Sequence, residues 1–169
     1  MDTDTVFEKF KRNAKYYTSK FLIQTDAERL MNFDHETELM KAIRSNSVKQ
    51  LKTLLEQQII EVNKSVMDNL NLSMLCLAVS LKRREVTKLL LAWNADVNFQ
   101  DDFKVTPVMK AIAVKDNDTL ELLLERPVDL SLKDDIGRTA FDYAEFFENR
   151  KAFKMLKQRI DNPKQNSQE

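Results

Sequence analysis

A period of 33 residues constrains this chain more than any other feature. Thr37, Ser73, Thr106 and Thr139 are spaced 36, 33 and 33 residues apart. An alanine follows each by five residues (Ala42, Ala78, Ala111, Ala144), and a leucine follows each alanine by twelve (Leu54, Leu90, Leu123, Leu156). Three columns in register over four copies specify an array in which one small unit recurs and buries its apolar side against the next. Within a copy, Leu72-Ser73-Met74-Leu75-Cys76-Leu77-Ala78-Val79 is a short apolar run, and Glu85-Val86-Thr87-Lys88-Leu89-Leu90-Leu91 carries apolar residues at helical spacing. Each falls short of the about 12–15 residues a helix needs to persist alone in water. Two short helices per copy, stacked on the next pair, satisfy both observations.

The residues at the copy boundaries carry a resemblance. Asn94-Ala95-Asp96-Val97-Asn98, Thr106-Pro107-Val108-Met109-Lys110-Ala111 and Asp134-Asp135-Ile136-Gly137-Arg138-Thr139-Ala140 resemble ankyrin repeats, whose pattern is D-x-x-G-x-T-P-L-H-x-A-A, a second helix ending in L-L, then G-A-D-V-N. The resemblance spans residues 32–158 in four copies, about 32–67, 68–100, 101–133 and 134–158. It implies an all-α fold, a solenoid of stacked helix-turn-helix pairs, with residues 1–31 as an N-terminal helical extension and 159–169 as a disordered tail.

The departures from the pattern matter as much as the match. Met40, Cys76, Met109 and Asp142 replace the histidine. The turn glycine survives only as Gly137, with His35, Asn71 and Lys104 in the other copies. Asn94 suits a left-handed helix cap. Pro127, at the same position one copy later, cannot reach positive φ, so that connection must take another path. Three extra residues in the first copy fall in the loop between Ile59 and Leu70. With fewer ideal turns, the array is expected to be less stable than a consensus one. Glu61-Val62-Asn63 and Asp96-Val97-Asn98 are similar to ankyrin-repeat asparagines that a hydroxylase modifies in animals, although bonding of the turn backbone is reason enough for an Asn there.

Composition narrows the function. With one glycine, the chain cannot build a phosphate-cradling glycine loop, and His35 and Cys76, the single His and Cys, cannot make a His/Cys zinc site without heavy carboxylate help. No catalytic group, metal or cofactor is expected; Cys76 reads as core and His35 as a polar turn residue. Lys+Arg and Asp+Glu are 27 each, which argues against a general nucleic-acid binder. One cysteine excludes an internal disulfide and points to a reducing setting, cytoplasmic or also nuclear. No apolar run approaches the about 20 residues of a membrane span, and the opening Met1-Asp2-Thr3-Asp4 suggests neither a secretory signal nor a transit peptide.

Residues 1–31 carry Phe7, Phe10, Ala14 and Tyr17 in a helical stripe, and five basic residues without an acid between Lys9 and Lys20. This segment reads as a cap over the first repeat. The alternative is a tether, in which residues 5–20 contact anionic membrane or RNA while the repeats hold cargo. In the fourth copy, Phe141 and Tyr143 read as core.

In ankyrin-like arrays the turn tips and first helices line a concave surface where partners dock. By that resemblance the partner-binding candidates are the tip residues Leu70, Asp102, Phe103, Asp135 and Ile136, the residues just beyond them (Leu72, Val105, Arg138), and the helix column Leu81, Val114 and Phe147. They predict an apolar strip with an acidic border of Asp68, Asp101, Asp102, Asp134 and Asp135. The expected function is a monomeric, non-enzymatic module that holds another protein as inhibitor, adaptor or small subunit. Short all-ankyrin proteins of this kind include inhibitors of cyclin-dependent kinases and of Rel-type transcription factors; no motif here selects either.

Overall fold

The computed structural model describes residues 38–57, 61–63, 65–67 and 71–161. The chain divides between Asp34 and His35, and every described residue lies in the second unit. The expected N-terminal extension, with its basic stripe, and the tail from residue 162 lie outside the described residues.

Eight helices among the described residues form four pairs: α1 (Glu38–Arg44) with α2 (Val48–Glu56), α3 (Met74–Ser80) with α4 (Arg84–Ala92), α5 (Pro107–Ala113) with α6 (Asn117–Leu124), and α7 (Ala140–Phe146) with α8 (Arg150–Asp161). The first helices α1, α3, α5 and α7 pack in succession as one row, and α2, α4, α6 and α8 as another. This is the expected all-α stack. Among the described residues one strand pair, β1 (Ser65–Met67) and β2 (Leu72–Ser73), is antiparallel, with Ser65 opposite Ser73 and Met67 opposite Leu72. Strand β1 lies in the first copy's lengthened connection, and β2 leads into the first helix of the second copy. Helix α8 runs through Asp161, three residues past the expected end of the array at 158.

The repeated polar residues set where first helices start. Ser73, Thr106 and Thr139 are extended N-caps whose side-chain oxygens accept from the backbone N–H of Cys76, Met109 and Asp142. In the fourth copy Asp142 stands where the family pattern has histidine, and its carboxylate accepts from the Thr139 N–H, completing a capping box. Met40, Cys76 and Met109 at that position are instead buried in the core.

The alanine column explains where first helices stop. The carbonyls of Ala42, Ala78, Ala111 and Ala144 accept from the N–H of Ser47, Arg83, Asp116 and Asn149, five residues on, at 2.8–3.0 Å. The residue before each donor, Asn46, Lys82, Lys115 or Glu148, sits at φ 51–55°. This is a Schellman closure made four times, and each alanine is at most 2% exposed.

The two proline and asparagine connections differ as their chemistry requires. Asn94 takes φ 59° after α4, and Ala95 N–H reaches back to Leu90 O at 3.0 Å. After α6, Pro127 is held in a tight turn instead, with Val128 N–H donating to Arg126 O at 2.7 Å.

Candidate partner-binding face

In repeats three and four the turn tip is built around one buried aspartate. In the third copy, Asp101 Oδ1 accepts from the N–H of Phe103 (3.0 Å) and Val105 (2.9 Å), while Oδ2 meets Lys110 Nζ at 2.9 Å. In the fourth, Asp134 Oδ1 accepts from Ile136 N–H (3.1 Å) and Arg138 N–H (2.8 Å). Its Oδ2 holds Arg138 Nη2 (2.8 Å), Arg138 Nε (2.9 Å) and the Tyr143 hydroxyl (3.0 Å). The carboxylate folds the tip and turns its third residue outward: Phe103 is half-buried and Ile136 is 38% exposed. Positive φ at Asn71 (42°), Lys104 (57°) and Gly137 (89°) completes the tips.

Hydrogen bonds between copies hold neighbouring tips in register. Asp135 N–H donates to Phe103 O at 3.0 Å, and Gln100 Nε2 spans Lys104 O (2.8 Å) and Lys133 O (3.0 Å). Asn63 and Asn98 accept from the N–H of Asp96 and Asp129 in the next copy, each at 2.8 Å. Asn98 Nδ2 also donates to Pro127 O at 3.0 Å. Those asparagines are brackets between repeats, not only fasteners of their own turns.

The helix column presents a second apolar row. Leu81, Val114 and Phe147 are the C-cap residues of α3, α5 and α7, all half-buried, on consecutive repeats. In the fourth copy tip and column form one surface. The Arg138 guanidinium lies 4.7 Å from the Tyr143 ring centre and 5.8 Å from that of Phe146. Phe147 stands edge-on to Phe146 at 5.1 Å and 5.9 Å from Tyr143. Burial pushes the Tyr143 hydroxyl well above the usual tyrosine range, so it stays protonated and donates to Asp134. Phe141 packs edge-on against Phe153 at 5.4 Å.

Several expected site residues are placed differently. Leu72 and Val105 are 1% and 8% exposed, so they belong to the core and leave the strip. Leu72 is tied up in the strand pair, and Val105 N–H is bound by Asp101. The acidic border is also thinner than expected, because Asp101 and Asp134 are buried inside their own turns. Asp102 and Asp135 remain exposed, while Leu70 and Asp68 lie outside the described residues. Arg138 is half-buried and committed to Asp134.

Asp101 and Lys110 form an ion pair outside the expected site residues, with side chains 5% and 4% exposed. Its signal was present: a lysine interrupts the apolar run Pro107–Ala113, nine residues after an aspartate. Tyr143 stands nine residues after Asp134, in the same column.

No helix among the described residues is long and apolar enough to cross a membrane. A family model for ankyrin repeats, three copies long, matches residues 11–101 and again 75–167. No curated protein matches the chain. The two family matches together span most of the sequence, over the same Asp-capped tips and helix pairs the structure displays, and the chain belongs to the ankyrin-repeat family, whose repeats are general protein–protein interaction modules.

Proposed function

We propose that this protein is a non-enzymatic binding module that holds a partner protein on the face made by the tips and first helices of repeats two to four. The observation that carries the reading is the recurrence of half-buried Leu81, Val114 and Phe147 at one position of successive repeats, together with the apolar tip residues Phe103 and Ile136 in the third and fourth. A monomeric array needs no apolar side chain at a tip, and a row of partly exposed ones marks an interface. Asp101 and Asp134 are consumed by the turns, which leaves Asp102 and Asp135 as the exposed acids beside Phe103 and Ile136. The role of inhibitor, adaptor or small subunit in a reducing cytoplasmic or nuclear setting fits a chain with a single cysteine, Cys76, which is buried.

The test is affinity capture from cell extract with the wild-type chain, a Phe103→Ala/Ile136→Ala/Phe147→Ala variant, and a chain lacking residues 1–25. Captured proteins are identified by mass and each bait's melting curve is recorded. A protein held by wild type and by the truncated chain, but lost with the triple variant at an unchanged melting temperature, is the expected result. Retention by the triple variant, with loss on truncation, would move the function to the N-terminal segment.

A further inference from the structure

Beyond that face, we infer a second interaction surface at the end of the stack: the outward side of repeat four pairs with the same side of a second copy of this chain. In that pair α7 of each copy lies over α8 of the other, about a two-fold axis parallel to the helices. The outward side holds an open cleft of about 640 Å³ at the junction of α7 and α8, lined by Ala144, Glu145, Glu148, Arg150 and Phe153. The preceding repeat shows what such a cleft accepts. Its counterparts by the 33-residue period are Ala111, Ile112, Lys115, Asn117 and Leu120. Repeat four closes over them: Asn149 Nδ2 donates to Ile112 O at 3.3 Å, Arg159 Nε donates to Leu124 O at 3.0 Å, and Ile112 and Leu120 are fully buried. A helix pair is the shape that fits.

Charge decides which helix pair. From Ala140 to Glu148 the charged side chains are Asp142, Glu145 and Glu148, all acidic. Along α8 they are Arg150, Lys151, Lys154, Lys157 and Arg159, with Asp161 the one acid. Two of these are already committed, the Asp142 carboxylate to the Thr139 N–H and Arg159 to Leu124 O. Glu145, Glu148, Arg150, Lys151, Lys154 and Lys157 are exposed, and among the described residues none of them has an ion-pair partner. Ile112 and Leu124, whose carbonyls receive repeat four, have Glu145 and Lys157 as their counterparts. Another apolar repeat laid there would bury an acid and a base without compensation. A copy of the same face offers each its opposite.

The cleft also selects the axis. A short turn makes α7 and α8 antiparallel neighbours. Because Glu145 and Glu148 share the cleft with Arg150 and Phe153, the acids of α7 and its turn stand level with the first base of α8. A two-fold axis parallel to the helices keeps that level and carries each α7 over the other copy's α8, so each Arg150 meets the other copy's glutamates. The half-buried rings of Phe141 and Phe153, 5.4 Å apart, supply apolar contact on the same side. An axis perpendicular to the helices would set α7 on α7 and α8 on α8, acid against acid and base against base, which is repulsive.

The experiment is sedimentation velocity on the full chain from about 1 to about 200 µM. A face one repeat wide is at the small end of stable interfaces, and a dimer with a dissociation constant of about 10 µM is expected. Its association should weaken as salt rises from about 0.05 to about 0.5 M. Glu145→Lys/Glu148→Lys and Arg150→Glu/Lys157→Glu should each weaken self-association about tenfold, with melting curves like wild type because all four side chains are exposed. An equimolar mixture of the two variants should associate again, and so should a chain carrying all four substitutions, since both restore acid over base in each contact. Wild type that stays monomeric at the highest concentration, or a dimer indifferent to salt and to both swaps, overturns the inference. Recovery in the mixture without recovery in the fourfold variant would set α7 on α7 and overturn the arrangement, and recovery in neither would overturn the charge pairing itself.

Discussion

Repeats three and four solve one problem with different residues. Both fold the tip around a buried aspartate that accepts two backbone N–H groups, and both must then neutralise its second oxygen. Repeat three does so with Lys110, brought up from within α5. Repeat four uses Arg138 from the tip itself and the Tyr143 hydroxyl from the Lys110 column. Repeat three hides both charges in the protein and leaves its tip as Phe103. Repeat four keeps its cation near the surface and stacks it on aromatic rings that join the outward face. Both charge pairs are largely buried, but Arg138 keeps 11% of its side chain exposed beside the aromatic rings, against 4% for Lys110.

The same two repeats differ at the end of the stack. Ile112 and Leu124, buried in repeat three, correspond by the 33-residue period to Glu145 and Lys157, both exposed. Core columns thus become charged on the side of repeat four that faces away from repeat three, as on a repeat face that no further repeat covers. Phe141 and Phe153 keep that side partly apolar by pairing with each other.

The largest test of the shared scaffold is Ala111→Asp. It places a carboxylate at a position 0% exposed, whose carbonyl closes the α5 turn, and should cost more than about 4 kcal/mol and unfold the array. A normal melting curve would break the register on which the comparison depends. Next comes Lys110→Leu, which copies Leu77 of repeat two and strands Asp101. It should cost about 3 kcal/mol, with much of that recovered in Asp101→Asn/Lys110→Leu; chemical denaturation of all three variants measures the coupling.

In repeat four, Tyr143→Phe removes one donor of several to Asp134 and should cost only about 1 kcal/mol. Because burial raises the folded-state pKa of Tyr143 above its ordinary value of 10.0, its contribution is complete below that pH and is lost as pH climbs beyond it. Wild type should therefore lose stability more steeply than Tyr143→Phe above that pH, and parallel alkaline melting curves would show the hydroxyl to be accessible. The smallest effects are at the tips: Lys104→Gly should stabilise by about 1 kcal/mol, and Gly137→Ala should destabilise by a similar amount. Nothing lies within 4 Å of a Cβ built at Gly137, so its φ of 89° is the whole cause.

The sequence by itself determined the helix pairs, their order and their caps. Those depend on interactions within a few residues: a hydroxyl at Ser73, Thr106 or Thr139 reaching three residues ahead, an alanine permitting a tight turn, a proline forbidding positive φ at 127. It also marked Ile136 and the Leu81, Val114 and Phe147 column, because apolar residues recurring at positions a repeat does not require are visible as a pattern. It did not reveal that Leu72 and Val105 face inward. Two residues after a tip, the direction of a side chain is set by the carboxylate hydrogen bonds and the neighbouring copy. Nor did it reveal that Asp101 and Asp134 are turn anchors instead of a surface border, or that Lys110 is buried. Those outcomes depend on partners nine residues away within a copy and about 33 away between copies. A charge is read from sequence as exposed by default, because only the packed structure supplies the opposite charge and the N–H groups that make its burial tolerable.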